Sequence, residues 1–396
     1  MKSVVHTEDL PHLEGRPGHA RKGARPARFE TAVRDILSPA GIFIDGDSPW
    51  DLHVNNKRFY PRVLREGSIG LGESYMDGWW ECEELDAFFA RLLPSDPRAR
   101  IRKNWRLLLH VLGSTVLNPG KEPRAFEVGR RHYDKGNALF SRMLDKRMAY
   151  SCGYWKDSST LDQAQEAKLE LICRKLGLKA GDRVLDVGCG WGSFAKYAAE
   201  KYGASVVGIS ISKEQLALGK ELCRGLPVEL RLQDYRDVNG EFDHIVSVGM
   251  FEHVGLRNYR TYMTKLRDCL KTHGRFLLHT IGGNTSDLAD DPWIDRYIFP
   301  NSFIPSLKQI AKSLEGLFVV EDVQNIGYHY DATLMAWSRN FDNNWPQLKD
   351  SYDERFRRMW RYYLLSCAGA FRSRWLQVWQ LVLSKEGMPG GYDRAY

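Results

Sequence analysis

From residue 183 onward, short apolar runs alternate with longer stretches of mixed polarity. The runs Arg183–Val187, Ser205–Ile209, Val228–Leu232, His244–Val248, Arg275–His279, Phe318–Val323 and Leu376–Leu383 predict strands. Most of the segments between them carry helical spacing, beginning with Phe194–Lys201 (FAKYAAEK). This alternation predicts a mostly parallel sheet with helices on both faces, and ligands in such sheets bind beyond the carboxyl ends of the strands. Upstream the pattern is finer. It predicts a helix over Phe29–Leu37, strand-like pieces at Ile42–Ile44 and Leu52–Val54, and a helix over Leu85–Leu93 ended by Pro94 and Pro97. The expected organisation is a disordered basic arm (1–28), a small mixed N-terminal domain (29–97), an amphipathic linker (98–123) and one α/β domain (124–396).

The first strand of that domain runs into Asp186-Val-Gly-Cys-Gly-Trp-Gly192. Three closely spaced glycines between strand and helix permit positive φ and bring free backbone N–H groups close to a ligand. A dinucleotide turn runs G-x-G-x-x-G, whereas this one runs G-x-G-x-G directly after an Asp. That spacing resembles the S-adenosylmethionine (SAM) turn of class I methyltransferases. A dinucleotide site and a purely structural turn are the alternatives. The resemblance implies a Rossmann-like class I methyltransferase sheet.

Polar or glycine residues also close the next four strands. Asp186 can hold the turn or a ligand ammonium, or act as an ordinary loop cap. After the second strand Ser210 stands where methyltransferases usually carry an acid for the ribose, which makes Gln215 the substitute. Gln233, Asp234 and Tyr235 follow the third strand, where an adenine amino group and ring face are expected. Glu252 and His253 follow the fourth, and His279 ends the fifth. Glu252 with His279 can form an acid–base or anion-holding pair, with His253 the one expected to pack. The scattered histidines lack metal-ligand spacing, so no metal is expected. Asp331 is expected to cap a helix after Gly327-Tyr-His-Tyr330, and Ser366–Phe371 to follow an aromatic-rich helix.

Composition narrows the setting. No apolar run reaches the ~18–20 residues of a membrane span; the longest, Trp105–Leu117, contains Arg106 and His110. Seven cysteines without a C-x-x-C pair, and a polar N-terminus, point to the reducing cytoplasm. The net charge of +7 is gathered in patches at 15–29, 98–106 and 355–361. In the last two the cations are mixed with large apolar side chains, which suits an anionic membrane surface. No nucleic-acid recognition motif is present.

Longer words carry a more specific resemblance. His132-Tyr-Asp-Lys-Gly-Asn137, Tyr150-Ser-Cys152, Leu185-Asp-Val-Gly-Cys-Gly-Trp-Gly192, Ser247-Val-Gly-Met-Phe-Glu-His-Val-Gly255, Leu278-His-Thr-Ile-Gly282, Tyr297-Ile-Phe-Pro-Asn301 and Cys367-Ala-Gly-Ala-Phe371 together resemble the bacterial cyclopropane-fatty-acyl-phospholipid synthases, as does Gly72–Trp80. The resemblance spans roughly residues 30–390. It implies a SAM site lined by Tyr150, Ser151, the turn Gly188, Cys189, Gly190 and Gly192, the segment Ser210–Gln215, and Gln233–Tyr235. It implies a bicarbonate ion held by Cys152, Glu252, His279, Tyr330 and the backbone of Ile281. Cys367 matches the cysteine often assigned as the active-site residue; a wall or anion-contact role is expected here.

The implied reaction transfers a methylene group from SAM to the cis double bond of unsaturated phospholipid chains. Its course would be methyl transfer, a carbocation eased by aromatic faces, and deprotonation by the bound bicarbonate. The resemblance also implies a homodimer, and the lipid substrate implies peripheral attachment to the inner face of the membrane. A lipid C-methyltransferase is the nearest alternative; a dinucleotide oxidoreductase and a non-enzymatic lipid carrier are more distant.

Overall fold

The computed structural model describes residues 24–97, 136–286 and 291–396. The expected linker 98–123 and most of the expected basic arm lie outside the described residues. Four helices come first: α1 (Ala24–Leu37), α2 (Phe59–Glu66), α3 (Ser68–Met76) and α4 (Leu85–Leu92). The two-residue strands β1 (His53–Val54) and β2 (Trp80–Glu81) pair antiparallel between them. α1 extends the expected helix back into the arm. Ile42–Ile44 is not a strand and contributes only a single bridge, Ile44 to Leu52. The Asp51 carboxylate accepts the N–H groups of Phe43 and Ser48 at 2.7 and 3.0 Å, and so holds this segment as a loop.

The chain continues with α5 (Gly136–Met143), α6 (Leu161–Leu176), β3 (Arg183–Val187), α7 (Ser193–Tyr202), β4 (Ser205–Ser210), α8 (Lys213–Leu222) and β5 (Val228–Leu232). There follow β6 (Phe242–Val248), α9 (Tyr259–Cys269), β7 (Leu270–Gly283), α10 (Pro292–Tyr297) and α11 (Leu307–Leu314). The last elements are β8 (Val319–Asn325), α12 (Tyr328–Leu348), α13 (Glu354–Arg372) and β9 (Leu376–Ser384). Local signals start the helices. Thr160 with Gln163, and Ser306 with Gln309, form reciprocal capping boxes on α6 and α11, and Asp353 caps α13.

One seven-stranded sheet runs in the order β5-β4-β3-β6-β7-β9-β8. β3 to β7 are parallel, and β9 runs antiparallel to both β7 and β8. Alternate residues serve opposite faces, as strand geometry requires. Val184, Val206, Val246 and Leu277 pack with α6, α7 and α8, while Leu185, Val207, Ile245 and Leu278 pack with α9 and α11. The expected α/β sandwich is therefore the fold. Among the described residues no helix is long and apolar enough to cross a membrane.

A third core cluster joins α1–α4 to α5, α12 and α13 without a break. α4 and α13 approach so closely at Gly369 that a Cβ there would lie 2.5 Å from the Asp86 carbonyl oxygen. The arginines of the 355–361 basic patch are paired with carboxylates at this junction. Arg355 pairs with Asp77 at 3.1 Å, Arg358 with Glu81 at 2.8 Å, and Arg357 and Arg361 with Asp342. The interleaved Phe356, Met359, Trp360, Tyr362 and Tyr363 are buried. Two smaller expectations also change. Gly327, not Asp331, precedes α12, and Asp331 in its first turn binds Arg372 at 2.9 and 3.0 Å. Ser366–Phe371 lies within α13 rather than after it.

Candidate active site

From β3 the chain steps outward to β4 and β5, then crosses back to β6 on the other side of β3. The connections diverge there, which leaves a crevice at the carboxyl ends of the strands. The glycine turn lies at that point. Gly188, Gly190 and Gly192 have φ of 84°, 55° and 83°, where a side chain is strained. The N–H groups of Gly188 and Cys189 donate to the Ile209 carbonyl at 2.9 and 3.0 Å, which ties the turn to the end of β4. A Cβ on Gly190 would meet nothing within 4 Å among the described residues, so this glycine faces open space there.

Asp186 lies beneath the turn, only 3% exposed. Its Oδ2 is buried with no hydrogen-bond partner among the described residues. Burial pushes its pKa up to about 7, against the downward pull of Lys168. An orphaned buried carboxylate under open space suits a cationic ligand group, and so fits the ammonium of SAM. Tyr150 and Ser151 approach the same region. The Tyr150 hydroxyl is 2.8 Å from that of Tyr363, and its ring packs on Trp337 with 5.2 Å between centroids. Ser151 Oγ accepts from Lys168 Nζ at 2.9 Å, and its carbonyl accepts from Gln165 at 2.9 Å.

The expected adenosine side is less uniform. Ser210 Oγ accepts the N–H of Ser212 at 3.2 Å, and Gln215 lies in the first turn of α8 with its N–H on Ser212 Oγ. Gln233 donates to the Asp237 carbonyl at 2.8 Å. Asp234 is forked onto Arg236, with both contacts at 2.8 Å, and this holds its carboxyl below the usual range. The Tyr235 ring is turned into the core, edge-on to Tyr262 at 4.9 Å. Exposed Ile211 and Leu232, beside Ser210 and Gln233, present apolar surface there instead.

The second group gathers at the ends of β6 and β7. Glu252 sits in the 3-10 turn Phe251–His253. Its Oε1 accepts the Ile281 N–H at 2.7 Å. His279 is 2% exposed, and burial drives its pKa well below the usual value, so the ring is neutral. Its Nδ1 lies 3.2 Å from Gln380 Nε2. When Gln380 donates, the ring proton sits on Nε2. Tyr330, from α12, is buried, and burial holds its hydroxyl protonated; Cys152, Cys367 and Glu252 are near enough to add to the effect. Cys152 Sγ points at the Gly153 and Ile326 carbonyls, and burial raises its pKa. Cys367, on α13, is pushed up to about 12, chiefly by burial. Tyr330 also packs on Phe371 and Trp337, at 4.6 and 5.8 Å between centroids, so an aromatic wall stands beside the polar cluster. His253 instead meets the ring of Phe299.

Sequence reasoning missed Gln165, Lys168 and Gln380, all buried. A signal existed for the first two. Gln165 and Lys168 share a helical stripe with Leu161 and Ile172, and polar residues on a buried stripe mark an internal partner.

Residues 120–381 match the family model described as mycolic acid cyclopropane synthetase. The cyclopropane-fatty-acyl-phospholipid synthase of Escherichia coli is 55% identical over 353 residues, 89% of this chain and 92% of its own. A probable fatty acid methyltransferase of Pseudomonas putida is 43% identical over 66% of this chain and 70% of its own. Among solved structures, the cyclopropane synthase MmaA2 of Mycobacterium tuberculosis aligns with a TM-score of 0.61 at 30% identity, covering 68% of this chain and all of its own. Mycolic acid cyclopropane synthase CmaA1, complexed with SAH and CTAB, aligns with a TM-score of 0.61 at 32% identity, covering 67% of this chain and 99% of its own. The chain belongs to the cyclopropane synthase family of SAM-dependent methyltransferases.

Proposed function

We propose that this protein converts the cis double bond of unsaturated phospholipid acyl chains into a cyclopropane ring, with SAM as the methylene donor. The observation that carries this reading is the Glu252–Ile281 contact beside Tyr330, next to the glycine turn, in a chain 55% identical to a synthase of that name. Asp186, the turn, Tyr150 and Ser151 would hold SAM, which supplies an electrophilic methyl group when bound. The rings of Tyr330, Phe371 and Trp337 would ease positive charge on an alkyl chain beside them.

Glu252, His279 and Tyr330 would hold a bicarbonate ion, which supplies a base at that place; the Ile281 N–H is spent on fixing Glu252, and the Cys152 thiol, turned to the Gly153 and Ile326 carbonyls, would only wall the ion. The residues suit such an ion. Bicarbonate carries a proton that the Glu252 carboxylate can accept. The neutral His279 and the protonated Tyr330 can donate to its oxygens. The thiol of Cys367 stays protonated at neutral pH, which favours a wall over a nucleophile. The expected setting is cytoplasmic, as a homodimer attached peripherally to the membrane that contains the substrate.

The test is incubation with labelled SAM and vesicles of unsaturated phospholipid, followed by mass analysis of the acyl chains. A gain of one CH2 that survives catalytic hydrogenation with no added hydrogen means a ring. A methyl branch would instead identify a C-methyltransferase.

A further inference from the structure

A lysine buried to 2% exposure needs a reason, because removing an ammonium from water is expensive unless it is paired. Lys168 is such a residue, placed directly behind the cofactor side of the site. Its Nζ donates to Ser151 Oγ at 2.9 Å. Burial lowers its pKa to about 8, against the upward pull of the Asp145 and Asp186 carboxyl groups, so the ammonium form persists at neutral pH. Asp145 in turn accepts the N–H groups of Arg147 and Ala149 at 2.9 and 2.8 Å, which shapes the loop that delivers Ser151.

The direction of the Lys168–Ser151 bond has a consequence for the serine. An ammonium has no lone pair and can only donate, so Ser151 Oγ must accept. The serine proton is then left to point elsewhere, and among the described residues it meets no acceptor. Next to it Asp186 presents the opposite case, a buried Oδ2 that accepts from no described residue. One unused donor and one unused acceptor thus flank the same lysine. A zwitterionic amino-acid end is complementary to that pair, its ammonium facing Asp186 and its carboxylate facing Ser151.

We infer that Lys168 is a positioning residue for the amino-acid end of SAM: it commits the Ser151 hydroxyl to donate to the cofactor carboxylate. The inference rests on the SAM reading above and adds a residue that touches neither cofactor nor lipid. Its positive charge also lies near enough to attract that carboxylate through the serine.

Two ligands separate this role from a structural one. S-adenosylhomocysteine carries the amino-acid end, and 5′-methylthioadenosine lacks it. By calorimetry, Lys168→Met should weaken S-adenosylhomocysteine by about tenfold or more, the scale of a lost hydrogen bond to a charged group. Affinity for 5′-methylthioadenosine should not change. In turnover the KM for SAM should rise more than kcat falls. Ser151→Ala should show the same selective loss, and the double variant should be little worse than either single one. If Lys168→Met does not fold, Lys168→Gln, whose amide can still donate to Ser151, and Ser151→Ala carry the test. Equal losses for both ligands, additive losses, or unchanged S-adenosylhomocysteine affinity would overturn the proposal. Failure of the wild-type protein to bind S-adenosylhomocysteine at all would instead overturn the cofactor reading.

Discussion

Glu252 Oε1 accepts the backbone N–H of Ile281 at 2.7 Å and so ties the turn after β6 to the end of β7. The contact spans two neighbouring parallel strands and fixes one carboxylate oxygen in place. Glu252→Gln can keep an oxygen on Ile281, but it replaces the other acceptor with a donor. Turnover should fall about 10²-fold or more, the usual scale for a lost general-base function. SAM affinity should stay within a few-fold. Single-turnover assays with calorimetry on the same preparation check both halves, and full activity would remove Glu252 from the chemistry.

Gly190 has a φ of 55° and faces open space. Gly190→Val costs about 1–2 kcal/mol in backbone strain, yet no described residue lies within 4 Å of the added Cβ. The variant should therefore fold, with a lowered melting temperature, and fail to bind SAM. Near-normal affinity in a folded variant would place the cofactor elsewhere.

Asp186 makes cofactor binding dependent on pH. Burial raises its pKa from 3.8 to about 7. The folded apoprotein therefore holds this proton more tightly than the unfolded chain, and this contribution to stability declines as pH rises from about 4 to about 7. A cationic ligand needs the ionised form, so the proton competes with it below about pH 7. The Kd for SAM should rise by up to about tenfold per pH unit on acidification, the limit for one competing proton. Asp186→Asn should bind weakly with a flat profile. A flat wild-type titration from pH 5 to 8 would contradict the assignment.

The Cys367 thiol, pushed up to about 12, is not ionised at neutral pH. Cys367→Ser should cost far less turnover than Glu252→Gln, and the rate should show no alkaline rise tracking a thiolate. An inactive serine variant with an intact melting transition would revive a covalent role for this residue.

Much of the fold was legible locally. β3 and β5 have the expected bounds: β3, inside the sheet, buries Val184, Leu185 and Val187, while β5, at its edge, alternates Val228, Leu230 and Leu232 with Glu229 and Arg231. The glycine turn was legible because only glycine tolerates its positive φ at every other position. The N-terminal unit was read less well. α2 and α3 were not anticipated; their buried residues, such as Phe59, Tyr60, Tyr75 and Met76, belong to a core completed by α12 and α13 far along the chain.

The sequence alone determined the α/β alternation, the glycine turn after β3 and the polar residues at the strand ends, since these follow from backbone periodicity and φ over a few neighbouring positions. Tertiary structure decided what each charge does. Arg355 meets Asp77 and Arg358 meets Glu81, so a patch that reads as free charge in the sequence pairs α13 with the N-terminal unit. Lys168, one cation among many in the sequence, becomes a buried partner of Ser151 and Asp186 only when α6 lies against β3. Pairing energy depends on distance and burial, and for residues far apart in the chain both are set by the topology of the sheet and its helices.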